Sequence, residues 1–451
     1  MNIKGKKISV IGMGKTGIAT AEVLSPYNEV TLFDRKELPI PPKLRELPIK
    51  FHLGDPNSTG AEEADLIIIS PGVPKTEPFV SRALALNVPI RSEIEIAYKL
   101  CKAQIIAVTG TDGKSTTVSL ISHILQAGGK RAIAAGNIGN PFVSIAPSAT
   151  PQDIVVLEVS SYQLEWIEDF RPNIGILLNI SPDHLERYSS LDEYALTKMR
   201  LFENQERSDF AILNRDDPTV YRLSSLIPST ILFFSLTPFE GEGAFFSQGE
   251  INMKLRSQNL SFSLPETSLE GRHNLQNMLC ASLASFLAGV SPPDISQALS
   301  TFKPLEHRME RVGYHKGALF INDSKATNPH ATSKALSSFS SPILLIAGGR
   351  YKEGADYQGL FRENKSKIKA LILIGEASSR LESIAKVEGI SNIYRESNLE
   401  GAVRKASELA CQGDVVLFSP ACSSFDMFAD FEERGRRFKE IFSTLKEEYG
   451  E

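Results

Sequence analysis

The stretch Thr109-Gly110-Thr111-Asp112-Gly113-Lys114-Ser115-Thr116 carries the most specific chemistry in this chain. An apolar run, residues 105–108, leads into it, and a helix-like stretch from Lys114 to about Gln126 leads out. In such a strand–loop–helix setting, successive backbone N–H groups cradle phosphates. A lysine neutralises the outer ones and a serine hydroxyl can ligate Mg²⁺. Gly110, Thr111, Asp112, Gly113, Lys114, Ser115 and Thr116 are therefore candidate contacts to a nucleoside triphosphate. The loop is shorter than G-x-x-x-x-G-K-[ST], because Val108 occupies the position five before Gly113.

A second glycine loop, Gly12-Met13-Gly14-Lys15-Thr16-Gly17, fits G-x-G-x-x-G, and Asp34 closes the next strand. Such glycines let the backbone approach a pyrophosphate, with Asp34 on a ribose. The alternative is a tight strand–helix turn, and the loop does not separate NAD from another nucleotide diphosphate. Ser70-Pro71-Gly72 follows a third strand, at the edge where parallel sheets bind ligands. Glu158 ends the apolar run 154–157 and is well placed for a hard cation, the alternative being a turn acid at a helix start. Asp183-His184 follows the run 174–178, and its histidine reads as a structural hydrogen bonder or as a ligand. Lys198 reads as a solvated helix lysine, and Asn274 and Asn277 as helix caps. Arg308 and Lys325 are charged loop residues that suit closure onto phosphates at a domain junction.

Short β-branched runs must position these groups. Residues 8–11, 30–33 and 66–69 alternate with helix-like stretches, which argues for a parallel sheet flanked by helices. From about residue 235 to 264 the pattern becomes antiparallel strands with Gly-rich turns, and a helix is predicted at about 274–287. Pro292-Pro293 and Pro304 punctuate a change near residue 300. Beyond it lie runs at 318–321, 343–346, 370–374 and 415–418, then a last helix at about 431–449. The fold class is α/β in three domains. Residues 1–94 form a Rossmann-like domain, 95–303 a phosphate-loop domain with the antiparallel patch, and 304–451 a second Rossmann-like domain.

Composition limits what the chain can bind. Hydrophobic residues make up 42% and charged residues 23%, as in ordinary soluble proteins. A formal net charge of −5 supplies no field to draw in nucleic acid or an anionic membrane, so any phosphate must be held locally. Cys101, Cys280, Cys411 and Cys422 lack C-x-x-C spacing and sit among apolar or small residues, so buried reduced thiols are expected. No run approaches the ~18 apolar residues of a membrane span. Residues 8–11 are too short for a signal peptide, and a cytoplasmic enzyme is expected.

The short phosphate loop resembles that of the Mur ligase superfamily, which includes the folylpolyglutamate synthetases, and the resemblance runs in order over essentially the whole chain. It implies amide-bond formation from ATP through an acyl phosphate, with two Mg²⁺ ions. Glu158-Val159-Ser160-Ser161-Tyr162-Gln163, Ser419-Pro420-Ala421-Cys422-Ser423-Ser424-Phe425-Asp426-Met427-Phe428 and Phe431-Glu432-Glu433-Arg434-Gly435 point within it. They are similar to the members that add D-glutamate to UDP-N-acetylmuramoyl-L-alanine in peptidoglycan precursor synthesis.

The resemblance implies roles residue by residue. Lys114, Glu158, His184 and Lys198 are catalytic. The metal ions are held by Ser115, Glu158, His184 and a carbamylated Lys198, whose ammonium has become a carboxylate. Asn274 and Asn277 meet adenine, Asp323 the ribose, and Arg308 and Lys325 the phosphates. The first glycine loop then serves the UDP-sugar rather than NAD, through Gly14, Thr16, Asp34, Arg35, Ser70, Pro71 and Gly72, with Asn137 and His184 toward the lactyl-alanine end. Lys325, Thr327, Lys352, Ser424 and the Phe431 backbone meet D-glutamate. A monomer is expected. Two departures stand out: Asp112 replaces the usual Asn, and Asp356 falls one residue late in G-G-x-x-K-x-x-D around Lys352. The competing readings are a ligase for another amino acid, a nicotinamide-dependent dehydrogenase using residues 12–17, and a non-enzymatic nucleotide switch.

Overall fold

Most strands are continuous apolar runs rather than alternating ones, the pattern of parallel sheets covered on both faces. The computed structural model describes residues 3–450 apart from residues 184–186, 257, 270, 304 and 305. The chain divides into two compact units, Met1–Phe302 and Lys303–Glu451. Among the described residues the first unit holds two sheets and the second holds one.

The first sheet comprises β1 (Lys7–Ile11), β2 (Glu29–Asp34), β3 (Ile49–Leu53), β4 (Leu66–Ile69) and β5 (Ile90–Ser92). All are parallel in the order β3-β2-β1-β4-β5, so the loops after β1 and β4 open where the order reverses. Packing itself demands two glycines of the first loop. A Cβ on Gly17 would lie 1.8 Å from the Gly12 carbonyl oxygen, and one on Gly12 would lie 2.9 Å from Ser70 Oγ. Around Gly14 nothing lies within 4 Å, so backbone is accessible there.

The second sheet comprises β6 (Gln104–Thr109), β7 (Arg131–Gly136), β8 (Asp153–Glu158), β9 (Ile174–Leu177), β10 (Phe210–Asn214), β11 (Thr230–Ser235), β12 (Gly243–Ser247), β13 (Glu250–Leu255) and β14 (Gln258–Ser263). Its order is β14-β13-β12-β11-β10-β9-β6-β8-β7, which places β6 at a second switch point. Ile106 and Val108 pack with Val118 and Ile121 of the helix Lys114–Ala127 and with Leu279 of the helix Arg272–Leu287. Ile105 and Ala107 face the opposite cluster, with Phe142, Leu164 and Phe170. The antiparallel patch falls where the sequence places it: β12–β13 and β13–β14 pair antiparallel, and β12 joins the rest of the sheet by pairing parallel with β11.

The helix Glu93–Leu100 connects the two sheets and is fastened by buried carboxylates. Glu93 Oε1 accepts the Val143 N–H at 2.5 Å, and Glu95 Oε2 accepts the N–H groups of Glu168 and Phe170 at 2.9 and 3.0 Å. Burial pushes the Glu93 carboxyl up to about 7 from 4.5, against the pull of the Val143 and Phe142 N–H groups. A raised folded-state value means stability that is complete below about pH 4.5 and is lost as pH rises through 7. Wild type should therefore lose roughly 3 kcal/mol relative to Glu93→Gln between pH 4.5 and pH 8. Urea melts of both proteins across that range measure it, and parallel curves would refute it.

In the second unit the sheet comprises β15 (Glu310–His315), β16 (Ala318–Asn322), β17 (Ile343–Gly348), β18 (Ile368–Ile374), β19 (Ile393–Arg395) and β20 (Val415–Phe418). The order is β15-β16-β20-β17-β18-β19, with β15 antiparallel and the rest parallel. The loops after β16, β20 and β17, three neighbouring strands, therefore open on one edge. The last helix, Phe431–Tyr449, starts where Asp430 accepts the Glu433 N–H at 2.7 Å. All four cysteines are free thiols, but only Cys280 and Cys422 are buried. Cys411, expected inside, is exposed because it lies in the turn between the helix Leu399–Leu409 and β20.

Candidate active site

The phosphate loop is shaped by two left-handed or open glycines and held by the strand beside it. Gly110 has φ +151° and Gly113 φ +82°, and the helix Lys114–Ala127 starts directly after Gly113. A Cβ on Gly113 would lie 2.7 Å from Asn277 Oδ1, so the loop and the helix Arg272–Leu287 sit close together. Asn179, just beyond β9, clamps the loop: its carbonyl accepts the Thr111 N–H at 3.0 Å and its Oδ1 the Asp112 N–H at 2.9 Å. Those two N–H groups are spent inside the protein. The first turn of the helix Lys114–Ala127 offers N–H groups that find no acceptors within the helix, an arrangement suited to an anion. Lys114 Nζ folds back onto the carbonyls of Gly110 and Thr111 at 2.9 and 2.7 Å.

Lys198 does not behave as a solvated helix lysine. It is 1% exposed, its Nζ donates to the Gly110 carbonyl at 2.9 Å and lies 4.5 Å from the centre of the Tyr194 ring. Burial, with the Lys114 charge adding to it, holds its ammonium well below the usual lysine range, although Asp183, Asp112 and Glu158 oppose the shift. Glu158, at the end of β8, is also buried, and its Oε1 accepts Asn137 Nδ2 at 2.9 Å. The following Ser160 and Gln163 form a capping box, so part of that motif shapes the turn after the carboxylate. Ser115 and Thr116 are buried in the first turn of the loop helix. His184 lies outside the described residues.

Asn274 and Asn277 are not helix caps. Gly271 occupies that position without a side-chain cap, and Asn277 Nδ2 donates to Asn274 Oδ1 at 3.3 Å within the helix. At the first glycine loop, the Asp34 carboxylate accepts the N–H groups of Met13 and Lys36 at 2.8 and 2.9 Å. Thr16 is half-buried, Gly14 and Arg35 are exposed, and Ser70-Pro71-Gly72 runs along the adjacent edge.

In the second unit Arg308 sits between two left-handed residues, His307 at φ +63° and Met309 at φ +47°. Asp323 is buried, accepts Ser419 Oγ at 2.8 Å and the Met309 N–H at 3.2 Å, and burial pushes its carboxyl up to about 7. Lys325 Nζ lies 5.3 Å from the centre of the Phe431 ring. Ser424 is buried, Thr327 half-buried and Lys352 exposed. Asp356, the late acid of the Lys352 loop, caps the helix Tyr357–Asn364 by accepting the Gly359 N–H at 2.7 Å.

Family models match the chain in three segments. The Mur ligase MurD-like, N-terminal domain covers residues 6–92, the Mur ligase middle domain 108–285, and the Mur ligase, glutamate ligase domain 307–422. The chain belongs to the Mur ligase family. It is 41% identical over 447 residues to the UDP-N-acetylmuramoylalanine--D-glutamate ligase of Pelotomaculum thermopropionicum, 98% of each chain. It is 40% identical over 457 residues to the protein of that name from Koribacter versatilis, 99% of each. Its fold is similar to that of the MurF ligase of Thermotoga maritima solved with ADP, at TM-score 0.59 and 17% identity over 99% of this chain and 96% of that one. A pseudomurein peptide ligase type C from Methanothermus fervidus gives TM-score 0.59 and 21% identity over 98% and 100%.

In this Mur ligase the sequence singles out no role for Arg434, Arg187 or Glu165, yet all three are built into the loops around the candidate residues. Arg434 is wholly buried; it donates to Ser324 Oγ, the Ser324 carbonyl and the Cys422 carbonyl at 3.0, 2.8 and 3.2 Å. It thereby ties the loop of Asp323 and Lys325 to that of Ser424. Burial pushes its guanidinium down to about 10. Arg434→Ala would strand those acceptors beside a cavity, and about 3 kcal/mol of stability should be lost in urea melts. A change under about 1 kcal/mol would contradict this.

Proposed function

We infer that this chain joins D-glutamate to UDP-N-acetylmuramoyl-L-alanine, converting ATP to ADP and phosphate through an acyl phosphate. The observation that carries the reading is full-length similarity, about four residues in ten, to ligases of that name. The geometry supports it. The alanine carboxylate is a poor electrophile, and transferring the γ-phosphate to it gives a leaving group the amine of D-glutamate can displace. Lys114 would exchange its two loop carbonyls for phosphate oxygens, and the first turn of the helix Lys114–Ala127 would orient them.

The donor set fits Mg²⁺. Ser115, Glu158 and Lys198 as its carbamate would offer only oxygen, the choice of a hard cation, with His184 the fourth candidate. Bound there, the metal would offset charge on the phosphates. The depressed ammonium of Lys198 favours the neutral amine, the form that reacts with CO₂.

The loops after β1 and β4, with Asp34, Thr16 and residues 70–72, would hold UDP, and Asn137 the lactyl-alanine end. Asn274 and Asn277 would meet adenine, and Arg308, Asp323 and Lys325 the ribose and phosphates. Lys325, Thr327, Lys352, Ser424 and the Phe431 backbone would meet D-glutamate, whose two carboxylates need cations and several donors.

The deciding assay is phosphate release from ATP with magnesium and UDP-N-acetylmuramoyl-L-alanine. D-glutamate, L-alanine, L-lysine and meso-diaminopimelate are offered separately. D-glutamate alone should support turnover; preference for another amino acid, or for none, would overturn the reading.

A further inference from the structure

Arg187 joins segments of the first unit that the reaction would use separately. Its Nη2 donates to the Val73 carbonyl at 2.9 Å, one residue beyond Ser70-Pro71-Gly72. Nε and Nη2 also grip both carboxylate oxygens of Glu165, at 3.0 and 2.6 Å, seven residues after Glu158. The guanidinium lies over the Tyr162 ring, 4.4 Å from its centre. Glu165 Oε1 accepts the Tyr188 hydroxyl at 2.8 Å. From there the rings of Tyr188 and Tyr194, 5.2 Å apart, lead to Lys198, whose Nζ lies over Tyr194.

An exposed arginine–glutamate pair would fix little, because solvent screens it and side-chain entropy opposes it. This pair is different: the Arg187 side chain is 11% exposed and that of Glu165 is 0%. A buried two-pronged contact has one geometry, and the same guanidinium reaches a carbonyl in the loop of another sheet. Arg187 also stands four residues after Asp183, on the segment that follows β9.

We propose that Arg187 is a positioning residue that sets the loop after β4 in register with the turn after β8 and, through Glu165, Tyr188 and Tyr194, with Lys198. The sugar end of the substrate then places its carboxyl in line with the phosphate loop. This rests on the function proposed above, in which the loop after β4 holds the UDP-sugar and the loop after β6 holds ATP. A displacement of about 1 Å between them would leave both ligands bound and the transfer misaligned, at a cost near 10²-fold.

The test compares wild type with Arg187→Lys and Arg187→Ala. Lysine keeps the charge and the stem but cannot hold Glu165 by two bonds and Val73 at once. Both variants should lower kcat, by about tenfold to 100-fold. The KM for ATP and the calorimetric affinity for ADP should stay within about twofold of wild type, because no phosphate-loop contact is removed. Combining Arg187→Ala with Glu165→Gln should cost no more than Arg187→Ala alone, since the two act as a unit. Wild-type kcat in Arg187→Lys would overturn the proposal, as would ADP affinity falling in step with kcat, the mark of a general structural role. Wild type failing to turn over with D-glutamate would sink the functional reading itself, a result distinct from unimpaired variants of an active enzyme.

Discussion

Lys114→Ala should lower kcat/KM for phosphate release by about 10³-fold or more while the protein still melts cooperatively near the wild-type temperature. The two halves of that expectation have separate causes. In transfer, negative charge spreads over the outer phosphate oxygens, and Lys114 is the loop's own cation at the start of the helix. Its ammonium donates to the carbonyls of Gly110 and Thr111, within its own loop, and Lys198 also donates to Gly110. Removing the ammonium therefore leaves the Gly110 carbonyl with a donor and the loop's other anchors, to Asn179, in place. A phosphate-release assay with saturating magnesium measures the first half and thermal melting the second. A loss of less than about tenfold would remove Lys114 from the transfer step.

The sequence is most legible where local pattern and boundary agree. The run before the phosphate loop and the helix after it fall within a residue or so of their observed limits, Gln104–Thr109 and Lys114–Ala127. The last helix, Phe431–Tyr449, is bounded as the pattern suggests because Asp430 and Gly450 mark both ends. Several strands that escape the pattern, β3, β5, β7, β15 and β19, lie at sheet edges, where one side lacks neighbours and the run is short or polar. The interior strands β10 and β11 escape too. Their runs, Ala211-Ile212-Leu213 and Ile231-Leu232-Phe233-Phe234, are apolar enough, but periodicity alone does not separate a short buried strand from a helix segment.

Site residues divide along the same line. Glycine loops and carboxylates at strand ends are legible because their chemistry depends on neighbours in the chain. Arg187, Glu165 and Arg434 are not: each is an ordinary charged residue until a partner from another segment, Val73, Tyr188 or Cys422, buries it. Asn274 and Asn277 fit a cap by type, yet Gly271 starts the helix, their side chains meet each other, and that of Asn277 lies against Gly113.

Lys198→Met should separate activity from stability in opposite directions. Methionine fills nearly the same volume, and the Gly110 carbonyl keeps the Lys114 ammonium, so the packing of the helix Leu191–Met199 should survive. A folded-state value held well below the usual lysine range means that the unfolded chain binds a proton which the folded chain resists. That difference opposes folding at neutral pH and fades as pH rises through the normal lysine range, so the variant should melt higher than wild type at pH 7, with the gap closing toward pH 11. Activity should fall about 10³-fold, because methionine can supply neither an amine nor, after reaction with CO₂, a carboxylate for the cation. The neutral amine attacks CO₂ and releases one proton, so carbamate formation is favoured by higher pH and by bicarbonate. With ¹³C-labelled bicarbonate, a carbamate resonance should appear in wild type, be absent from Lys198→Met and disappear on acidification. A variant that keeps its activity, or a wild type whose activity and spectrum ignore bicarbonate, would return Lys198 to a purely structural part. The burial that makes this lysine costly to fold is then what makes it reactive, and a single substitution that gains one property and loses the other is how that coupling becomes measurable.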